Sequence, residues 1–241
     1  QMDIPVELYA PYGTPPRELT SEFLSQTSAA AYHTNGRSVQ SAINPAWVAL
    51  VEILRRIEAQ PYHWPTGRTI FQKMAYVATR QGLPTGFVYK RGSFGPFSRE
   101  LKNAESKLIN NNMLQEKRCG KMFLVESGPN FERSRKDFQA AVDKWTPIIE
   151  KITDLFMRVN TDQAEVIATV MFAADALKDE TGSIPTETEV LYAVLQWKQK
   201  RRPPLDEAVV ASTIRNLGML RWLDVQPDAR LPVPEEESIP A

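Results

Sequence analysis

From Arg68 to Leu101 the chain changes its hydrophobic period twice in one short run, and this alternation restricts its possible folds more than any bulk property. Ile70, Phe71, Met74, Ala75 and Ala78 recur at spacings of three and four, which predicts a helix with one apolar stripe; Gln72, Lys73, Thr79 and Arg80 fall off it. Gly82 can take positive φ and is expected to stop that helix. A short strand is predicted over Phe87 to Lys90. The segment Gly92 to Ser98 then sets Phe94 and Phe97 around a Gly95-Pro96 breaker, and Leu101, Ala104 and Leu108 restore the helical period. With its preset φ and missing N–H, Pro96 suits either the last turn position or the first helical one.

Helical and strand patterns on either side extend this unit. Asn44 followed by Pro45 is a helix cap with proline at the first helical position, and Trp47, Leu50, Val51, Leu54 and Ile57 make a stripe to about Ala59. The run from Gln60 to Thr66 holds two prolines and no period, so a loop is expected. Leu114 to Arg118 and Lys121 to Val125 flank Cys119 and Gly120, predicting a hairpin whose two-residue turn makes the wing of a winged-helix unit. Further helices are predicted from Phe131 to Val159, broken at Thr146-Pro147, and over Asp162 to Leu177. Two more are predicted, one capped by Thr186 or Thr188 and reaching Lys200, the other from Leu205 to Leu217 closed by Gly218. Lys178 to Pro185 reads as a polar loop. The fold class is therefore mainly α with a small β-hairpin (α+β), a winged-helix-like core followed by a helical bundle over residues 44–226. Residues 14–43 read as a linker with one short helix near Glu18 to Leu24, and 227–241, with Glu235 to Glu237, as a Pro/Glu-rich mobile tail.

At 241 residues, 42% of them hydrophobic, the chain can bury a proper core. Its 29 basic and 29 acidic side chains cancel, so any charge-based recognition must be local. Cys119 is the single cysteine and His33 and His63 the two imidazoles, which leaves out an internal disulfide and argues against a zinc site; no metal or cofactor is expected. The absence of a long apolar run and of signal-peptide regions points to a cytoplasmic protein away from membranes. Gln1 preceding Met2 suggests that something upstream has been trimmed.

No residue pattern calls for catalysis. Neither histidine lies in a nucleophile motif, and the Gly92 to Ser98 turn lacks both G-x-G-x-x-G and a P-loop lysine. Asp206 with Glu207, and Asp179 with Glu180, read as helix-start or loop carboxylates. Duplex DNA would be read by a helix over Ser98 to Asn112 and a wing carrying Lys117, Arg118 and Lys121, but Glu100 and Glu105 interrupt the basic residues of that helix. Lys198, Lys200, Arg201 and Arg202 are the densest basic run, at a helix end where solvated cations are common. Phe94 and Phe97 suit either a core wedge or a partner contact, and Tyr89, Arg91 and Phe94 are of the types found where a partner is gripped. Glu235 to Glu237 could imitate phosphates or keep a tail soluble.

The helix with Phe71-Gln72-Lys73-Met74-Ala75-Tyr76, the turn Gly92 to Ser98 and the helix after it resemble the C-terminal, toxin-binding domain of DarG-type antitoxins, similar in turn to the YwgA-like group of winged-helix domains. Val190 to Leu220 is similar to the tail of that domain, and Asp3 to Tyr9 followed by Ala10, Pro11, Tyr12 and Gly13 resembles the last strand of the macrodomain preceding it. The likeness covers roughly Asn44 to Val225; family turns carry Tyr where Phe94 and Phe97 stand. It implies an antitoxin domain without enzymatic activity that forms a heterodimer with a DarT-like toxin, which attaches ADP-ribose from NAD to thymidine in single-stranded DNA. The domain would occupy the groove for that strand, with the macrodomain upstream in the full-length chain. Such a block calls for a local acidic or polar patch, for which Asp179, Glu180, Glu187, Glu189 and Asp224 are candidates, alongside Tyr89, Arg91, Phe94 and Phe97. The alternative is a winged-helix DNA-binding regulator.

Overall fold

Asn44 does what its place before a proline predicts: its side chain accepts from the Ala46 N–H at 2.9 Å, and helix α1 runs Pro45–Glu58. The structure is a computed structural model described over residues 43–232, with position 121 left out. The expected strand at Asp3 to Tyr9, the 14–42 part of the linker with its short helix, Lys121 of the wing and the Glu235 to Glu237 run lie outside the described residues.

Helix α2, Arg68–Arg80, is the centre of the fold. It packs on α1, on the β1–β2 hairpin (Lys90–Gly92 and Gly95–Phe97), and on two later helices, α6 (Thr146–Phe156) and α7 (Thr161–Thr181). Every residue from Ile70 to Ala78 is consequently buried. Gln72 and Lys73 are thus buried although off the apolar stripe, because four neighbours leave no solvent face.

The chain from Phe87 to Tyr89 is not a strand. Pairing begins at Lys90, with Lys90 opposite Phe97, Arg91 opposite Pro96 and Gly92 opposite Gly95. Phe87 instead packs inward, stacked on Trp47 at 6.0 Å. Pro96 lies within β2 rather than in a turn or helix; in a two-stranded sheet each strand is an edge, where a missing N–H is tolerated.

Helix α3 (Arg99–Asn110) follows, burying Leu101, Ala104 and Leu108. A second hairpin, β3 (Leu114–Cys119) with β4 (Met122–Ser127), comes next. Cys119 pairs with Met122, so the turn begins at Gly120, whose φ is +61°, one residue later than its expected start at Cys119. Gly67 bridges Leu124, and Val125 N–H donates to the Thr66 carbonyl at 2.8 Å, laying the loop before α2 along the outer edge of this hairpin.

Short helices α4 (Phe131–Asp137) and α5 (Gln139–Val142) and a 3-10 turn, Asp143–Trp145, lead to α6, so the expected break at Thr146-Pro147 is present and a second falls at Phe138. Buried Glu52 on α1 accepts hydrogen bonds from Arg55, Arg56 and Arg135, which ties α4 to α1. Helix α7 opens with an Asn160/Gln163 capping box and runs to Thr181, so Lys178 to Thr181 are helical rather than loop; Gly182 with φ +69° is the residue able to end it.

Helix α8 is Glu187–Lys198, capped by Thr186, with Glu189 completing a capping box. Asp206 caps α9, Glu207–Met219. Gly218 lies inside α9, where a Cβ would meet Val225 Cγ2 at 3.1 Å; close approach, not termination, explains it. The start of the expected mobile tail is packed: Leu231 is buried and Asp228 N–H donates to Glu187 at 2.9 Å. The described chain is thus mostly helical with two antiparallel two-stranded sheets, an α+β fold in which α7, α8 and α9 pack together beside α2. None of its helices is long and apolar enough to cross a membrane.

Candidate functional site

Three side chains buried in the helices hold the aromatic hairpin by its carbonyls. Lys73 of α2, only 2% exposed, donates to the Pro96 carbonyl at 2.8 Å. Lys198 of α8 donates to the Ser93 carbonyl and to Glu165 of α7, each at 2.7 Å. Gln72 donates to the Ser98 carbonyl and accepts from the Ser98 N–H. Burial pushes the Lys73 amine down to about 8, the nearby Lys198 charge adding to the effect and Glu165 opposing it. Burial likewise lowers Lys198, against its hydrogen bond with Glu165. The basic run at the end of α8 is therefore not simply a solvated helix end: Lys198 belongs to the interior, and Arg201 lies 3.5 Å from Glu165.

Gly95 completes the docking. Its φ is +90°, and a Cβ there would meet Thr169 Oγ1 at 2.8 Å, with Lys73 also close. Thr169 cannot simply swing away, because its hydroxyl donates to the Glu165 carbonyl at 2.7 Å. Gly95→Ala is accordingly expected to destabilise the protein by about 1–3 kcal/mol, read as a lower urea midpoint with an unchanged slope.

With its backbone pinned inward, the hairpin points its rings outward. Phe94 is 67% exposed and Phe97 39%, so neither is the core wedge that sequence reasoning allowed. Arg91, also exposed, has its guanidinium 5.3 Å from the Trp197 ring centroid. Tyr89 is half-buried, edge-on to Tyr76 at 5.1 Å. Tyr89, Arg91, Phe94 and Phe97 are thus gathered on one hairpin and its approach.

The two phenylalanines form one wall of a groove of about 390 Å³ between the hairpin, α2 and α3, lined also by Arg68, Lys102, Glu105 and Glu116. Arg68 Nε donates to Glu116 Oε1 at 2.6 Å, the guanidinium forking across the carboxylate, and stacks 3.9 Å from the Phe123 ring centroid. Glu105 has no such partner: its Oε1 is buried without a hydrogen bond. Burial pushes its pKa up to about 7, with the Glu116 charge adding and Arg68 and Lys102 opposing. Because the folded state holds the proton more tightly than the unfolded chain, stability falls as pH rises from 4.5 toward about 7, and the penalty is complete above that. Glu105→Gln should remove this dependence, leaving the variant more stable than the parent at pH 8 and close to it at pH 4 in matched denaturation curves.

The acidic candidates lie elsewhere. Asp179 is ten residues beyond Thr169 on α7, about 15 Å along the helix axis. Asp179 and Glu180 are exposed on its last turn, and Asp224 pairs with Lys178 at 3.3 Å. Glu187 is 2% exposed and accepts two hydrogen bonds from Arg215, so it serves the fold rather than a surface; Glu189 is exposed, its carboxylate accepting from the Thr186 N–H in the α8 cap. Sequence reasoning missed Lys73, Glu165 and Thr169, whose spacing resembles that of any helix, and passed over Arg68. Among the described residues no group of three or more His, Cys, Asp or Glu is placed to hold a metal. Comparison with protein-family models and with curated proteins finds no match to the chain.

Proposed function

We propose that this chain is a protein-binding domain of the DarG antitoxin type, which neutralises a DarT-like DNA ADP-ribosyltransferase by occupying the groove that takes its single-stranded substrate. The observation that carries the protein-binding part is the Phe94 and Phe97 hairpin, whose exposed rings are held in place by buried charged residues. Burying lysines is costly, and a fold that needed only stability could seat those rings in its core instead. Exposed aromatic anchors beside a charged groove are the composition of a binding hot spot. The sequence likeness to DarG-type domains supplies the identity of the partner. In this reading the domain does no chemistry, forms a heterodimer with the toxin in the cytoplasm, and follows a macrodomain in the full-length protein.

The winged-helix DNA-binding reading has one observation in its favour, the Gly67–Leu124 bridge that adds a third edge to the β3–β4 hairpin. Against it, the helix that would enter a DNA groove carries Glu100 and Glu105 among its basic residues and is not the basic stripe that phosphate contacts call for. Co-expression with a DarT-like ADP-ribosyltransferase tests the proposal. A stable pair that suppresses modification of single-stranded DNA supports it; failure to associate, together with salt-steep binding to duplex DNA, supports the rival.

A further inference from the structure

We infer that the groove between α2, α3 and the β1–β2 hairpin receives an acidic side chain of the protein partner, glutamate foremost, whose carboxylate meets Lys102 and the free edge of the Arg68 guanidinium while its stem lies on Phe94 and Phe97. This rests on the protein-binding reading above and fixes the charge of the segment that the rings grip. The balance of charge along the walls is positive, since Arg68, Lys73 and Lys102 stand against Glu105 and Glu116. Glu116 is taken up by Arg68, whose Nε and Nη2 fork across it and leave Nη1 without a partner among the described residues. Lys73 is turned to the Pro96 carbonyl beneath the hairpin. Burial pushes the Glu105 carboxyl up to about 7, so below that pH it adds little negative charge. Lys102 is exposed, stands 5.9 Å from the Phe97 ring centroid and forms no ion pair among the described residues.

The rim carries the same sign. Exposed Lys90 stands directly across the hairpin from Phe97, on the same face of the strands, and exposed Arg99 lies one turn before Lys102 on α3. Glu100 opposes them, its carboxylate accepting from the Ser98 hydroxyl at 2.7 Å. An entering carboxylate accepts charge-assisted hydrogen bonds from the ammonium and from the guanidinium edge, and supplies the single negative charge that the walls leave unmatched. A run of phosphates would need several such cations in a row. The spare donors here amount to one ammonium and one guanidinium edge beside Glu116, and the volume of about 390 Å³ is the size for one long side chain rather than a nucleotide chain. Basic parts of the same partner are left to exposed Asp179 and Glu180, at the far end of α7 from the hairpin.

Acetyl-Gly-Glu-Gly-amide titrated into the full chain at about pH 6, with amide shifts followed by NMR, tests this. The glutamine peptide of the same shape is the neutral control, and a thymidine tetranucleotide is the nucleic-acid arm. The glutamate peptide should bind with Kd on the order of 1 mM, shifting Phe97, Lys102 and Ser106 and leaving Leu50 unmoved, while the glutamine peptide should give no saturable shift. Lys102→Gln, a substitution at an exposed position that should leave the urea midpoint in place, should weaken the glutamate peptide roughly tenfold. Equal shifts from the glutamine peptide, no saturable binding of the glutamate peptide, undiminished binding by the Lys102 variant, or tighter binding of the tetranucleotide at the same amides would each overturn the inference. If one of these occurs while a DarT-like toxin still co-purifies with the chain, the pairing stands and only the groove chemistry falls. If the peptide binds as expected and no such toxin does, the acidic guest stands and the proposed identity of the partner falls.

Discussion

Replacing Glu165 with leucine is expected to lower the unfolding free energy by about 3–5 kcal/mol, the usual consequence of removing one member of a buried ion pair. The substitution leaves Lys73 and Lys198, both buried, with no carboxylate between them, although each still faces a hairpin carbonyl. A surface pair would yield a small fraction of that value, so the magnitude distinguishes an interior network from a solvated helix end. The loss should be concentrated at the hairpin: hydrogen exchange at Gly95 and Phe97 should quicken more than at Leu50 or Leu54, buried on α1, which carries neither member of the ion pair. The double variant Glu165→Leu/Lys198→Met should recover much of the global stability, because the stranded ammonium is removed as well, yet exchange at the hairpin should stay fast, since the Ser93 carbonyl has lost its donor. Full recovery of the hairpin in the double variant would show that Lys198 does not position it.

The second large effect concerns Phe94. If the proposed pairing holds, Phe94→Ala should weaken the complex with a DarT-like ADP-ribosyltransferase by about 2 kcal/mol or more, roughly thirtyfold in Kd, as expected for an aromatic anchor at the centre of an interface. With the ring 67% exposed in the free chain, the same substitution should leave the thermal and urea midpoints nearly unmoved. This separation of binding from stability is what an exposed ring held on a rigid turn predicts. Phe97, less exposed and in contact range of Lys102, should give a smaller loss of affinity with a measurable loss of stability.

Local signals carried most of the secondary structure. The Asn44-Pro45 start, the Thr186 cap, the break at Thr146-Pro147 and the paired strands around Gly120 are each set by a few adjacent residues, and each is found where those residues place it to within one or two positions. What pattern could not convey was the environment on the polar side of α2. Gln72 and Lys73 have the spacing of a solvent face, and they are buried only because the following hairpin folds back on them and α7 closes in from far along the chain. Periodicity records which face of a helix is apolar; it does not record whether the opposite face meets water or a set of backbone carbonyls. The same limit explains Gly218 and Glu187, whose roles depend on Val225 and Arg215 approaching from other segments. The hairpin was noticeable from its Phe-Gly-Pro-Phe composition, yet its outward-facing rings follow from the lysines beneath it, which no local spacing announces.

In the proposed function this face meets a protein and not a nucleic acid. Isothermal titration of the full chain with the proposed DarT-like partner, in the presence and absence of the single-stranded DNA that such an enzyme modifies, tests that claim most directly. One-to-one binding in the nanomolar range that the DNA strand competes away, and that Phe94→Ala weakens, is the predicted result. Absence of heat with the enzyme, or binding to it that neither the DNA nor the Phe94 substitution affects, would contradict it.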